Sequence, residues 1–442
     1  MTMKILYVSQ FYYPERAAGA FRAIDNSTIW SKKNHDVTIF TSYPNFPSGK
    51  IFKGYSNKLI SKDEYKGVNL LRNKIIAIKN TSKVNRAISS ASFVFYSLYN
   101  IIFNSKTIGK GYDIVLGTSG TILAPIIAYI YSKINRIPFI LELRDITYNQ
   151  MLAVYDNKKT PLYYAAKAIE IYLCKKASKV VVVTNGFKLK LIEDGISADK
   201  IEVIPNGAMV EENKIYRDET DKDKIIFSYI GNVGGSQNLK RVIDVFNNVK
   251  INNKKTELII IGDGGKKDVI KSYIEQKKIR NITILDGMEY KELDRYYKKS
   301  HFCIVSLNNN NKFTSTIPSK IFTIMSKQRA ILYLGPEGEA SQIIKESGCG
   351  LLYYSKDYKQ IANSISKTIN SYIEADELES VIEEYGQRGY KFVYKNYNRL
   401  NLAQKYLNIM EEIIKNHKDN NTGNNINERV YYEEENMSVC ME

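Results

Sequence analysis

Short, continuously apolar runs alternate with helix-like stretches along most of the chain. Residues 4–9 form the first run; a polar loop containing Gly19 follows, and then a helical stretch from about Phe21 to Lys33. The pattern returns at Asp36–Thr41, Tyr112–Gly117, Pro138–Leu143 and Lys179–Thr184. Strands without polar alternation are buried on both faces, and strands of that kind interleaved with helices predict a parallel, doubly wound sheet. A second series starts at Ile225–Ile230 and continues through Glu257–Gly262, Ile282–Leu285, Phe302–Ser306 and Ala330–Leu334.

The pattern thus predicts two doubly wound α/β domains, at 1–207 and 225–390, joined by a linker at 208–224 that contains the charged, aperiodic stretch Glu211–Lys224. An amphipathic helical segment is expected at 391–416. Residues 417–442 carry six acidic side chains against Lys418 and Arg429, a charge of −4, and are expected to be disordered. Parallel sheets bind ligands outside the carboxyl ends of their strands, so two such domains facing each other place a site in the cleft between them.

Length supports the division, since 442 residues exceed what one hydrophobic core usually serves. Charge changes the picture further. Residues 1–207 hold 29 Lys and Arg against 14 Asp and Glu, a surplus of +15, which leaves +2 of the total +17 for the rest. Between Lys50 and Lys110, 12 basic residues are opposed only by Asp63 and Glu64, and the apolar run Phe93–Phe103 lies among them. A basic face beside an aromatic one fits an anionic membrane surface. A solvated lysine-rich surface over an ordinary buried helix is the alternative, and nucleic acid is not expected as a partner. The apolar runs at 91–103 and 121–131 are too short to span a bilayer, and the first residues turn polar too soon for a signal peptide. Cys174, Cys303, Cys349 and Cys440 lack the paired spacing of a zinc or redox site, which suggests reduced thiols. The expected location is the cytoplasm, at the inner face of the cytoplasmic membrane.

The motifs follow in order: Tyr12-Tyr-Pro14 with Gly19 and Arg22, Tyr43-Pro-Asn-Phe-Pro-Ser-Gly49, Leu143-Arg-Asp145, Pro205-Asn-Gly207 and Gly231-Asn-Val-Gly234 with Gln237. Gly262-Asp-Gly264, Pro318-Ser-Lys320, and Gly338-Glu-Ala340 leading to Gly348-Cys-Gly350 complete the set. In this order they resemble the GT-B glycosyltransferases of family 4, and within them the aminosugar (N-acetyl-fucosamine) transferases of O-antigen and capsule assembly. The resemblance covers residues 3–416 and implies an α/β GT-B fold of two Rossmann-like domains.

By that resemblance Lys320 stabilises a departing diphosphate without a metal, as a positioned cation can; a solvated surface lysine is the bland alternative. Gly19 and the turn at Gly231, Gly234 and Gly235 let backbone approach the donor, or are plain turns. By the same resemblance Pro318 and Ser319, just before the lysine, are expected to bind the donor, together with Asn232, Gln237 and Thr323. Asp145 is expected near the acceptor and the reacting sugar, although a local ion pair or a helix cap fits it too. Glu339 is expected near the donor, with capping of its own helix as the alternative. The chain also departs from the family. Thr323 stands where a glutamate is expected, Asn232 and Gln237 replace an Arg and a Lys, and Lys240 or Arg241 is left to assist the phosphates. Gly262-Asp-Gly264 reads only as a turn closing a strand.

The resemblance implies a retaining, metal-independent transfer from a nucleotide sugar, with uridine the expected base, to a lipid-linked or oligosaccharide acceptor in surface polysaccharide synthesis. No cofactor beyond the donor is expected. A nucleotide-sugar epimerase on the same fold and a catalytically diverged basic membrane-binding protein are the alternatives.

Overall fold

A computed structural model describes residues 1–15, 18–79, 83–119, 123–154, 158–212 and 223–439. The chain divides into two compact units, Met1–Pro205 with Leu400–Glu442, and Asn206–Arg399.

The first unit holds eight strands: β1 Lys4–Val8, β2 Asp36–Ser42, β3 Ile60–Tyr65, β4 Val68–Asn73, β5 Ile114–Thr118, β6 Phe139–Leu143, β7 Lys179–Val182 and β8 Ile201–Val203. Their order is β3-β4-β2-β1-β5-β6-β7-β8, and every pairing except β3 with β4 is parallel. The continuously apolar runs are the central strands, buried over their whole length in β5 and β6. No strand is read from the sequence between Thr41 and Tyr112, yet Ile60–Tyr65 and Val68–Asn73 form an edge hairpin there. Lys66 and Gly67, both at positive φ, make its two-residue turn, the geometry that matches strand twist. Arg72 of β4 is buried and pairs with Asp63 of β3 at 2.7 Å, so a polar strand without an apolar run gains its place through an ion pair.

The second unit holds β9 Lys224–Ile230, β10 Lys255–Ile261, β11 Ile282–Leu285, β12 Phe302–Ser306, β13 Ala330–Leu334 and β14 Gly350–Tyr353, all parallel, in the order β11-β10-β9-β12-β13-β14. In each sheet the direction of winding reverses once, between β1 and β5 and between β9 and β12. Such a reversal leaves the strand ends uncovered and is where ligands of this architecture bind.

Two sequence boundaries shift. Ala208 and Val210, expected in a linker, are buried in the second unit, where Ala208 exchanges backbone bonds with Tyr397 and Arg399 at 3.0 and 2.8 Å. Most of the linker, 213–222, lies outside the described residues. The expected helical segment 391–416 is two helices, Leu378–Tyr397 and Arg399–Val439, broken at the extended Asn398. From Leu400 the second helix belongs to the first unit, where Leu402, Ala403, Tyr406, Leu407, Met410 and Ile414 are buried with Trp30. Their spacing of three and four puts one stripe inward, and the Trp30 indole donates to the Ala403 carbonyl at 3.0 Å. The second helix runs through Val439, whereas the polar composition after 416 predicts disorder. Residues 440–442 lie outside the described residues.

Candidate functional site

In the second unit, β9 ends at Ile230 and the chain turns through Gly231-Asn-Val-Gly234 before the helix Leu239–Phe246. The turn is built on a second one. Gly231 N–H donates to Ile261 O at 2.9 Å, Val233 N–H to Asp263 O at 2.8 Å, and Lys266 N–H to Val233 O at 3.0 Å. A Cβ on Gly262, whose φ is +150°, would come within 1.9 Å of the Gly231 carbonyl oxygen, and one on Gly264 within 2.4 Å of Val233 O. Gly262-Asp-Gly264 therefore does more than close β10: its missing side chains let one turn rest on the other.

Asn232 and Gln237 brace this turn from within. Gln237 Oε1 accepts from Gly234 N–H at 3.2 Å and from the Asn232 amide at 3.4 Å. The Ser306 hydroxyl, at the end of β12, donates to Gln237 O at 2.7 Å, joining the turn to the strand across the winding reversal.

Lys320 opens the helix Lys320–Ser326, directly after Pro318 and the exposed Ser319. The residue as a whole is half-buried, but its Nζ is shielded from solvent and has no hydrogen-bond partner among the described residues. The amine lies over the ring of Tyr229, 3.4 Å from the centroid, and a Cβ on Gly231 would stand 2.7 Å from it. Burial pushes the Lys320 ammonium down to about 7, with the nearby Cys303 sulfur pulling the other way. A shielded amine with no hydrogen-bond partner among the described residues, set at a strand-end turn, is equipped to accept an anion.

The other residues expected at the donor differ in burial and contacts. Glu339 N–H donates to Thr314 O at 2.7 Å, which docks the loop leading to Lys320 against the start of the helix Glu339–Ser347. Thr323 is half-buried on the Lys320 helix. Lys240 is exposed and stacks on Tyr273, 4.7 Å from the ring centre, beside the helix that follows β10. Its neighbour Arg241 is the one turned inward, where it donates to the Ser355 carbonyl and two of its nitrogens have no partner among the described residues. One helical step of 100° separates these two faces, which a lysine-arginine pair in sequence does not reveal.

In the first unit, Gly19 lies where a Cβ would meet Arg144 Nη1 at 3.1 Å and Phe11 at 3.7 Å. Arg144 N–H donates to Ser119 Oγ at 3.0 Å, so the ends of β1, β5 and β6 converge at that sheet's reversal. Asp145 is exposed beside them, next to Arg144 and Gln150. Arg22 of the same motif has a different task, buried in an ion pair with Glu142.

Tyr229 was not anticipated from the sequence. A signal exists, because Gly231 follows Tyr229 by two positions at the end of β9, the spacing that puts both on one side of an extended chain.

Residues 210–389 match the family model described as glycosyl transferases group 1, and residues 28–212 match that described as glycosyltransferase family 4. The chain is 22% identical over 339 residues to WcaI of Escherichia coli K12, a glycosyl transferase assigned to colanic acid biosynthesis, covering 73% of this chain and 81% of the relative. Among solved structures, the sucrose-phosphate synthase of Thermosynechococcus elongatus superposes with a TM-score of 0.68 at 12% identity, over 94% of this chain and 100% of that one. Anabaena HepE in complex with UDP superposes at 0.62 and 14% identity, over 93% and 100%. These likenesses concern both units, and at such identities the structural ones speak to the fold.

Proposed function

Because the chain belongs to the GT-B glycosyltransferases with group 1 and family 4 domains, we propose that it moves a sugar from a uridine diphosphate donor to a lipid-linked or oligosaccharide acceptor in surface polysaccharide assembly. The observation that carries the reading is the shielded, unpartnered Lys320 amine beside the Gly231 turn. When the bond between the anomeric carbon and the diphosphate oxygen breaks, negative charge grows on the leaving group. A preorganised cation meets that charge more strongly in the transition state than in the ground state. In this reading the amine does that work without a metal. Retention of anomeric configuration belongs to the reading through the family resemblance. The UDP bound to HepE supports the choice of base, and WcaI supports the polysaccharide setting.

The first unit is read as the membrane-facing one. Its helix Lys83–Phe103 exposes Val84, Ile88, Phe95, Tyr99 and Ile102 at spacings that repeat every turn or two, ending in Phe103 at 69% exposure. Arg86, Lys106 and Lys110 are exposed around it, and no acidic residue occurs from Lys66 to Tyr112. Apolar insertion with flanking cations suits an anionic lipid surface. No described helix is long and apolar enough to cross a membrane.

The test is a thermal-shift panel of UDP-, GDP- and dTDP-sugars, followed by an assay of nucleotide release with and without a polyprenyl-linked saccharide. Stabilisation by a UDP-sugar and acceptor-dependent UDP release are expected, with the product anomer read by NMR. Protein that no nucleotide sugar stabilises would refute the reading.

A further inference from the structure

Nothing in the family pattern concerns Tyr229, yet the structure connects it to both parts of the donor site. Its ring face is the seat of the Lys320 amine, 3.4 Å from centroid to Nζ. Its hydroxyl donates to Asn232 O at 2.6 Å, inside the Gly231 turn. Tyr229 is completely buried, on a central strand of its sheet. One buried side chain thus touches the amine end of the lysine and the backbone of the turn. A Cβ on Gly231 would intrude on the same amine, so the absence of a side chain there keeps the seat open.

We propose that Tyr229 is a positioning residue for Lys320: its ring holds the amine against the turn, and its phenol fixes the turn at the distance from which both meet one anion. The proposal rests on the reading of this site as a diphosphate site. Its chemistry follows from electrostatics. A ring face attracts the charged form of an amine and is indifferent to the neutral form, so Tyr229 opposes the burial that pushes Lys320 down to about 7. An arriving diphosphate favours the charged form more strongly. Donor binding above neutral pH is then accompanied by proton uptake on Lys320.

The test starts without ligand. Lysines labelled with carbon-13 at Cε are titrated by NMR in the full chain, and the Lys320 signal is assigned by its loss in Lys320→Ala. The wild-type midpoint is expected near 7 and the Tyr229→Leu midpoint lower by half a unit or more, because leucine fills the space without a ring face. An unmoved midpoint in Tyr229→Leu overturns the role of Tyr229. Tyr229→Phe keeps the ring and loses the bond to Asn232, so its midpoint is expected to stay while UDP affinity falls several-fold. Unchanged affinity in that variant overturns the tie to the turn. Added UDP is expected to raise the wild-type midpoint. A midpoint that UDP leaves in place would instead refute the diphosphate reading of the site, so the two failures are distinct.

Discussion

Arg22 and Glu142 are joined at 2.8 Å in the interior of the first unit, the arginine on the helix Ala18–Lys32 and the glutamate on β6. The pair is saturated with partners. Arg22 also donates to Ile204 O at 2.8 Å, to Pro205 O at 2.9 Å and to the Tyr406 hydroxyl at 2.5 Å, while Glu142 accepts from Tyr7 at 2.9 Å and from Tyr406. The pair therefore fastens the returning C-terminal helix and the last residues before the chain leaves the unit. Removing one member of such a pair leaves a buried charge alone, which costs about 3–5 kcal/mol. Arg22→Ala is expected to lose that much in urea unfolding and to expose the helix after Leu400 to proteolysis.

Glu142 also shapes the acid response. Burial alone would raise its pKa, but Arg22, Thr118 and Tyr406 hold it at about 2. A carboxylate depressed in the folded state stabilises the protein above its unfolded value, near 4.5, and that contribution disappears as pH falls toward 2. Glu142→Gln should be less stable than wild type at pH 7, with the gap narrowing between pH 4.5 and 2 in denaturant titrations.

Glu15 carries the opposite sign. Its Oε1 accepts from Asn45 and Phe46 N–H at 2.8 and 2.9 Å, tying two loops at the strand ends, yet burial raises its pKa to about 7. The protonated form is favoured in the fold, so its contribution is complete below pH 4.5 and is lost as pH rises through 7. Glu15→Gln is expected to flatten the decline of stability between pH 5 and 8, which thermal unfolding across that range would read.

Lys320→Ala is expected to lower kcat about a hundredfold while changing donor affinity much less, because its charge matters most as the diphosphate departs. Wild-type turnover in this variant would remove Lys320 from the reaction. EDTA is expected to leave the rate unchanged.

Gly262→Ala places a methyl group 1.9 Å from the Gly231 carbonyl oxygen, whereas Gly265→Ala meets nothing within 4 Å. Loss of UDP binding and a lowered Tm are expected for the first and near-wild-type behaviour for the second. Equal behaviour of the two in calorimetry would mean that the turns are not mutually supported.

Phe95→Asp is expected to weaken co-sedimentation with vesicles containing phosphatidylglycerol without affecting UDP binding, since it charges the exposed apolar stripe of the helix Lys83–Phe103. Equal retention of wild type and variant, or wild-type retention on neutral vesicles, would count against that face.

The amino-acid sequence by itself determined the parallel strands of the two sheets, and its resemblance to known transferases pointed to Gly19, Gly231 and Lys320. A strand covered on both faces must be apolar wherever it lies, so runs such as Ile225–Ile230 are legible without their neighbours. What depends on distant partners was decided by the tertiary structure. The inward stripe of Leu402 to Ile414 is equally apolar against either unit, and only packing with Trp30 assigns it to the first. The hairpin Ile60–Asn73 lacks an apolar run, and Arg72 becomes an interior residue through Asp63, nine positions away. Which of Lys240 and Arg241 turns inward is set by the orientation of one helix on its sheet. The charge state of Lys320 belongs to the same class: a lysine's pKa is lowered by what surrounds it, and the ring of Tyr229 and the desolvation around the amine exist only once the strands have assembled.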